Sequence, residues 1–193
     1  TQGDDMMQDS VMEWLLENND PSVRFLTLTS LLDKSSEDND VIKAKKSIMD
    51  EGLVPKILAS QEEGGYWGDA ERFYRDKYKG TVWILLLLAE LSADPENTNI
   101  KNACEFILRC SREPVNGGFS YDQSKKTNFG LPSGVIPCLT GNMVYSLIKL
   151  GYLNDERIQK SIEWIVKYQR ADDGEGTAPT GEPYDRYFMC WGK

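Results

Sequence analysis

Histidine does not occur among the 193 residues of the chain. Because histidine is the commonest general base and the commonest metal ligand near neutral pH, catalysis and metal binding would both have to use other side chains. The fingerprints of common enzyme classes are missing too: there is no G-x-S-x-G nucleophile elbow, no P-loop and no dinucleotide-binding glycine motif. Sequence motifs therefore leave open whether the chain is an enzyme, and they identify no cofactor.

Basic residues are few relative to acidic ones. The chain carries 22 Lys and Arg against 31 Asp and Glu, which gives a net charge of −9 and a pI near 4.7. Nucleic acids and anionic membrane surfaces are bound by clustered Lys and Arg, so this balance argues against both as partners. No apolar run approaches the ~20 residues that a transmembrane helix needs, and no leader segment is recognisable. The sequence predicts a cytoplasmic protein that does not span a membrane.

The four cysteines, Cys104, Cys110, Cys138 and Cys190, show no C-x-x-C spacing. This pattern predicts reduced thiols and no disulfide framework. Cys138 and Cys190 both lie on predicted loop-to-inner-helix connections, and together with a histidine from further sequence they would offer a Zn²⁺ site. The alternative is that both are small buried hydrophobes, which is the commoner role of unpaired cysteine. We therefore predict no metal site and keep these two residues as the only metal candidates.

The longest apolar run is Val82 to Ala89, eight residues inside the segment Thr81 to Leu91. Leucine and alanine dominate the run over β-branched residues, which favours a helix over a strand. A helix that is apolar on every side belongs in the interior of a domain, with other helices around it. The sequence predicts a buried inner helix here.

Three shorter helices are predicted before Gly52. The first ends near Asn18-Asn19, the second begins with Asp20 as N-cap and Pro21 in the first turn, and the third runs from about Val41 to Gly52. The residues expected to face inward are Val11, Trp14 and Leu15 in the first helix, Phe25, Leu28, Leu31 and Leu32 in the second, and Ala44, Ile48 and Met49 in the third. We assign residues 1–52 to a helical lead-in.

From Leu53 onward a unit recurs at intervals of about 50 to 60 residues. Each unit has an amphipathic outer helix, a glycine loop with an aromatic or acidic residue, and a more apolar inner helix. The loops are Gly64-Gly65-Tyr66-Trp67-Gly68, Asn116-Gly117-Gly118-Phe119 and Asp172-Asp173-Gly174. The expected apolar faces are Ile100, Ala103, Cys104, Ile107 and Leu108 in one outer helix, and Ile158, Ile162, Ile165 and Val166 in the next. The pattern predicts a double layer of helices.

The segment from Gln61 to Trp67 resembles the QW repeat of squalene cyclases and the glycine–aromatic repeat of protein prenyltransferase β subunits. Gly117-Gly118-Phe119 and Gln169 to Gly174 resemble weaker copies. The resemblance implies an all-α fold in which residues 53–193 form a partial α/α toroid that is truncated at its C-terminal end. A half-toroid leaves one flank of an inner helix uncovered, so the chain is expected either to form a homodimer or to behave as partly unfolded.

The lead-in resembles a HEAT-type hairpin, and the chain as a whole is similar to prenyltransferase-like proteins of undefined function. The chemistry of the characterised relatives does not carry over. There is no DxDD acid of the cyclase type, and the zinc site of the prenyltransferases requires a histidine.

In such a toroid the starts of the inner helices line a central cavity. The resemblance therefore implies these cavity-lining residues: Thr81, Trp83, Cys138, Thr140, Asn142 and Tyr145. Tyr66, Trp67 and Phe119 would either flank a ligand or simply pack between neighbouring helix pairs, and packing is favoured. Asp69 and Glu71, beside Arg72 and Arg75, are expected to be solvated loop charges.

Two functions remain open. One is the binding of a hydrophobic, isoprenoid-like ligand in the cavity; the other is a non-catalytic scaffold that binds another protein.

Overall fold

The computed structural model describes residues 10–168. Helices are the only regular elements in this range, which confirms the all-α prediction; four isolated antiparallel bridges form no strand there. None of these helices is long and apolar enough to cross a bilayer. The helices are α1 (10–15), α2 (Pro21–Leu26), α3 (Asn39–Ser47), α4 (Val54–Ala59), α5 (Thr81–Glu90), α6 (Thr98–Cys110), α7 (Pro137–Leu147) and α8 (Glu156–Tyr168). A π-helical turn follows α2 (Thr27–Leu31) and another follows α7 (Ile148–Tyr152).

The described chain divides into two compact units. The first holds residues 10–60 and Glu90–Asp94, and the second holds Gln61–Ala89 and residues 95–168. The sequence placed the division before α4, whereas the compact units divide after it.

In the first unit, α2 begins as its sequence predicts. Pro21 occupies the first turn, and the Asp20 carboxylate accepts a hydrogen bond from the Val23 N–H at 3.2 Å. Leu28 is buried, but Leu31 and Leu32 are exposed, contrary to prediction. The reason is the π turn at Thr27–Leu31, whose extra residue rotates the following side chains away from the face that Leu28 occupies.

The prediction of which α1 residues face inward was also wrong in part. Val11 and Trp14 are exposed, and Leu16 is the residue that packs on the buried cluster of Leu28, Val41 and Ala44. In α3, Ala44 is buried as predicted, and so is Ile48 at its C-cap. The helix ends at Ser47, earlier than predicted.

In the second unit, α5 is buried on one side only. Thr81, Val82, Leu85, Leu88 and Ala89 are buried, and their spacing places them on one face of the helix. Leu87 is 38% exposed on the other side. The prediction that other helices surround α5 on every side is therefore wrong. Leucine on every side shows that the run is apolar, but it does not show which side of the helix is covered.

The predicted face of α6 is confirmed, because its five apolar residues are all buried. The face of α8 differs. Its buried residues are Ile158, Ser161, Trp164 and Tyr168, while Val166 is 78% exposed. The two large aromatic side chains, Trp164 and Tyr168, make up most of the buried face of α8. Val166 lies about half a turn away from Trp164 around the helix.

Two glycine loops each closely approach a helix further along the chain, α6 in one case and α8 in the other. Gly65 has φ +86°, and a β-carbon there would lie 2.5 Å from the Asn102 carbonyl oxygen of α6. Gly117 has φ +94°, and a β-carbon there would lie 2.9 Å from the Lys160 carbonyl oxygen of α8. Asn102 and Lys160 are each the fifth residue of their helix. Both loops therefore need glycine, for backbone conformation and for space.

The residue that follows in each loop meets the same position of the receiving helix. The Tyr66 ring lies 5.2 Å from the Phe106 ring, and a β-carbon on Gly118 would lie 3.0 Å from the Trp164 ring. Phe106 and Trp164 are each the ninth residue of their helix. The large side chain of Tyr66 thus faces the smaller Phe106 ring, whereas Gly118 faces the larger Trp164 ring.

We expect Gly65→Ala to lower the free energy of unfolding by about 2 kcal/mol or more, because alanine would be strained at this φ and would contact the Asn102 carbonyl. Chemical denaturation followed by circular dichroism measures the change.

The matched control is Gly141→Ala in α7, where a β-carbon meets nothing within 4 Å. This substitution should raise stability by about 0.5 to 1 kcal/mol through helix propensity. Equal effects of the two substitutions would contradict the close approach at Gly65.

Candidate functional site

Two of the six predicted cavity residues hold backbone in place. Thr81 and Thr140 are fully buried. The Thr81 hydroxyl accepts a hydrogen bond from the Trp67 N–H at 3.1 Å, and the Thr140 hydroxyl accepts one from the Phe119 N–H at 2.9 Å. Thr140 also donates to the Ile136 carbonyl at 2.9 Å. Thr81 therefore fixes one glycine loop to α5, and Thr140 fixes the other to α7; neither residue faces an open cavity.

Three other candidates form an exposed stripe on α7. Cys138, Asn142 and Tyr145 follow one another at spacings of four and three residues, so they share a helix face, and all three are exposed. The Lys149 ammonium lies 5.0 Å from the centre of the Tyr145 ring. None of the six candidates lines the cleft of about 650 Å³ that the first unit holds.

Trp83 is the centre of a group of aromatic side chains. It stacks with Tyr74 at 5.7 Å between ring centroids and contacts Tyr78 at 5.8 Å. Its indole N–H donates to the Tyr74 carbonyl at 2.9 Å, which fixes the ring orientation. Tyr121 lies 6.3 Å from Tyr74. We call these four residues the aromatic surface.

Tyr78 gives the aromatic surface its most accessible ring. The side chain is 79% exposed, and the residue has φ +67°. A bulky side chain at positive φ is strained, and such strain persists only where the surrounding structure enforces it. Two residues further on the chain packs tightly, since a β-carbon on Gly80 would lie 2.5 Å from the Phe73 carbonyl oxygen.

Charged groups border the aromatic surface in matched pairs. The Arg75 guanidinium lies 5.0 Å from the Tyr121 ring centre and donates to both carboxylate oxygens of Asp122, at 2.9 and 2.5 Å. These hydrogen bonds raise the pKa of Arg75. Arg72 pairs with Asp76 at 2.7 Å. Asp69 and Glu71 are exposed, as expected for solvated loop charges.

The aromatic residues of the glycine loops pack inside the second unit. Trp67 and Phe119 are buried, and Tyr66 is half-buried against Phe106. Of the two roles considered for these rings, the structure supports packing.

The thiols fall into two classes. Cys104 and Cys110 are buried, and burial raises the pKa of both, that of Cys104 to about 12. Cys138 is exposed. Within residues 10–168 no group of three or more potential metal ligands comes together. Cys190, the second metal candidate, lies outside the described residues.

Sequence reasoning missed a cleft in the first unit. Its volume is about 650 Å³, and we call it the α2–α3 cleft; its lining residues are Phe25, Ser36, Val41, Ile42, Lys45, Lys46, Met49, Asp50 and Asp94. Lys45 is half-buried there, and burial lowers its pKa. The available signal was Lys45 itself, which stands at helical spacing between the buried residues Val41 and Ile48.

Comparison of the chain with protein-family models, with curated proteins and with solved structures gives no match. The resemblance to terpenoid cyclases and prenyltransferases therefore rests on the glycine–aromatic loops themselves. Function has to be argued from the chemistry of the sites.

We expect N-ethylmaleimide to modify Cys138 rapidly in the folded protein and to leave Cys104 and Cys110 unmodified, because only exposed thiols reach the reagent and a raised pKa suppresses the reactive thiolate. Peptide mass spectrometry after a short pulse at pH 7.5 assigns each label to its cysteine. The same pulse in denaturant should label all three. Early modification of Cys104 in the folded protein would contradict its burial.

Proposed function

We propose that this chain is a helical-repeat protein of the terpenoid cyclase and prenyltransferase type, and that it binds a hydrophobic, isoprenoid-like ligand. In this proposal the helices from residue 53 onward that the structure describes belong to a partial α/α toroid of repeated helix pairs, and the ligand lies on the aromatic surface at the start of α5. The observation that carries the proposal is the pair of matching loops around Gly65 and Gly117.

Matching contacts support the repeat. Each glycine packs on the fifth residue of the next outer helix, each following residue meets the ninth, and each aromatic N–H is bound by a threonine of the next inner helix. The contacts with α6 and α8 fall at equivalent helix positions, and the threonine contact recurs although Thr81 is the first residue of α5 and Thr140 is the fourth of α7. Recurring contacts of this kind are what stacking of similar units produces. The units have diverged in sequence, since Tyr66 and Phe106 in one correspond to Gly118 and Trp164 in the other.

The ligand assignment is supported by the exposed side of α5. Trp83 and Ile84 are half-buried and Leu87 is exposed, so an apolar strip continues from the aromatic surface along the helix. Covering such a strip is favourable by about 25 cal/mol for each Å² of apolar area removed from water. An isoprenoid chain offers branched methyl groups that pack on aromatic faces and carries few polar groups to desolvate.

We expect farnesol to raise the melting temperature of the parent protein and to have no effect on Trp83→Ala, because the substitution removes the ring against which Tyr74 and Tyr78 pack. Differential scanning fluorimetry measures the shift. Trp14→Ala is the matched control, since Trp14 is 64% exposed on α1, and this variant should respond like the parent. Absence of any shift in the parent would overturn the ligand proposal.

Should Trp83→Ala be too unstable to test, Trp83→Phe keeps a ring but loses the hydrogen bond to the Tyr74 carbonyl. This variant should retain a reduced shift. A full shift with Trp83→Ala would place the ligand elsewhere.

The exposed stripe on α7 favours the second candidate function, a scaffold that binds protein, with a second copy of the chain as the first partner to test. Tyrosine is enriched in protein interfaces, and Tyr145 is the last residue of the stripe, about one helical turn beyond Asn142.

If this face mediates assembly, the parent should dimerise in sedimentation equilibrium and Tyr145→Ala should shift it towards monomer. Phe129→Ala, at a loop residue that is 41% exposed, should leave the distribution unchanged. A parent that stays monomeric at every concentration would contradict self-assembly.

A further inference from the structure

The α2–α3 cleft has the size and walls of a small-molecule site. Its volume of about 650 Å³ falls within the ~300 to 1,000 Å³ typical of ligand pockets. The walls are formed by Phe25 of α2, by Val41 and Ile42 of α3, and by Met49 just beyond that helix. All of its lining residues belong to the first compact unit, so the cleft is separate from the aromatic surface.

One cation is embedded in this apolar lining. Lys45 lies one helical turn beyond Val41, which directs its side chain along the buried face of α3. The ammonium stands 5.1 Å from the centre of the Phe25 ring and donates to the Ser92 carbonyl at 2.7 Å. The side chain is therefore held in one orientation by an aromatic face and a backbone acceptor.

The ammonium has donors to spare. A lysine ammonium carries three N–H groups, and its hydrogen bond to Ser92 is the only one that Lys45 makes within the described part of the chain. Burial lowers the pKa of Lys45, while the nearby Asp94 carboxylate raises it, and burial has the larger effect. The charge of the Lys45 ammonium is thus only partly compensated, and a hydrogen-bond acceptor that entered the cleft would complete the compensation.

The other charges of the cleft limit the ligand to a single negative charge. Lys46 is exposed at the cleft, while Asp50 and Asp94 also line it. The four charges sum to zero, so a phosphate dianion would meet two carboxylates without a second buried cation. A monocarboxylate needs only Lys45.

We propose that the α2–α3 cleft binds an apolar monocarboxylate, with the carboxylate accepting hydrogen bonds from Lys45 Nζ and the apolar body lying between Phe25, Ile42 and Met49. This site is independent of the proposed isoprenoid ligand and of the repeat. The bound carboxylate replaces water around a half-buried cation, and the hydrocarbon covers Ile42, which is 50% exposed in the free cleft.

The test uses sodium decanoate with the whole chain, measured by isothermal titration calorimetry at pH 7 below the micelle concentration. The parent should bind decanoate, and Lys45→Met should weaken binding by about tenfold or more, because a hydrogen bond to a charged group is lost while the length of the side chain is kept. Lys43→Met is the matched control on the same helix, since Lys43 is exposed and does not line the cleft. It should bind like the parent.

Two further ligands define the head group. 1-Decanol should bind the parent about tenfold more weakly than decanoate, and Lys45→Met should not change its affinity. Decyl phosphate should bind more weakly than decanoate at pH 8; tighter binding would overturn the assignment of a monocarboxylate. Decanoate affinity should fall as the pH rises through the lowered pKa of Lys45, because the ammonium is lost, and Lys45→Met should show no such fall.

Additional variants keep the result unambiguous if Lys45→Met is unstable. Lys45→Arg keeps the charge and should retain binding, whereas Ile42→Asp places a carboxylate on a half-exposed wall and should abolish it. Trp83→Ala should bind decanoate normally; loss of binding in Trp83→Ala but not in Lys45→Met would move the ligand to the aromatic surface and overturn the proposal. Failure of the parent to bind decanoate would overturn it as well.

Discussion

The second unit depends on two places where a loop backbone reaches the backbone of the second helix after it, α6 or α8. At Gly65 and Gly117 the distance leaves no room for a side chain, and the positive φ angles favour glycine in any case. The loops stay there because buried groups hold them on both sides. Thr81 and Thr140 bind the N–H groups of the following aromatic residues, and the Ser161 hydroxyl donates to the Gly117 carbonyl at 2.6 Å. Each polar group is buried together with its partner, so the loops lose little by leaving water.

How far the sequence predicted the fold depends on the kind of signal. The all-α class and the faces of α3 and α6 follow from apolar spacing, and the start of α2 follows from Asp20-Pro21. Spacing failed where a local irregularity changed the register, as at the π turn after α2. It also failed at Val166, because Trp164 and Tyr168 occupy the interface and periodicity alone does not weigh side chains by size. The first failure comes from local backbone geometry, and the second comes from tertiary packing, which the spacing within a single helix does not encode.

The candidate site was predicted in part. The resemblance directed attention to the starts of the inner helices, and Trp83 does lie in a group of aromatic residues there. Tyr74 and Tyr121 were not anticipated, because they reach it from a loop before α5 and a loop after α6. Thr81 and Thr140 were expected to face a ligand, but each forms a hydrogen bond with a backbone N–H distant in sequence. Lys45 was overlooked because sequence alone assigns a lysine to the exposed side of a helix. Its half-buried position becomes evident only from the residues that surround it in the folded chain.

The large and small side chains exchange places between the Tyr66–Phe106 pair and the Gly118–Trp164 pair. This difference limits which segments of the chain can be transplanted. A loop and the helix that receives it have to be moved together, since Tyr placed at position 118 would collide with Trp164 and with Val135. In the chain α5 separates the Gly65 loop from α6, and α7 separates the Gly117 loop from α8, so a transplanted segment has to run from the loop through both of the helices that follow it. A cut inside α5 or α7 would part a loop from its receiving helix and could set a large loop residue against a large ring.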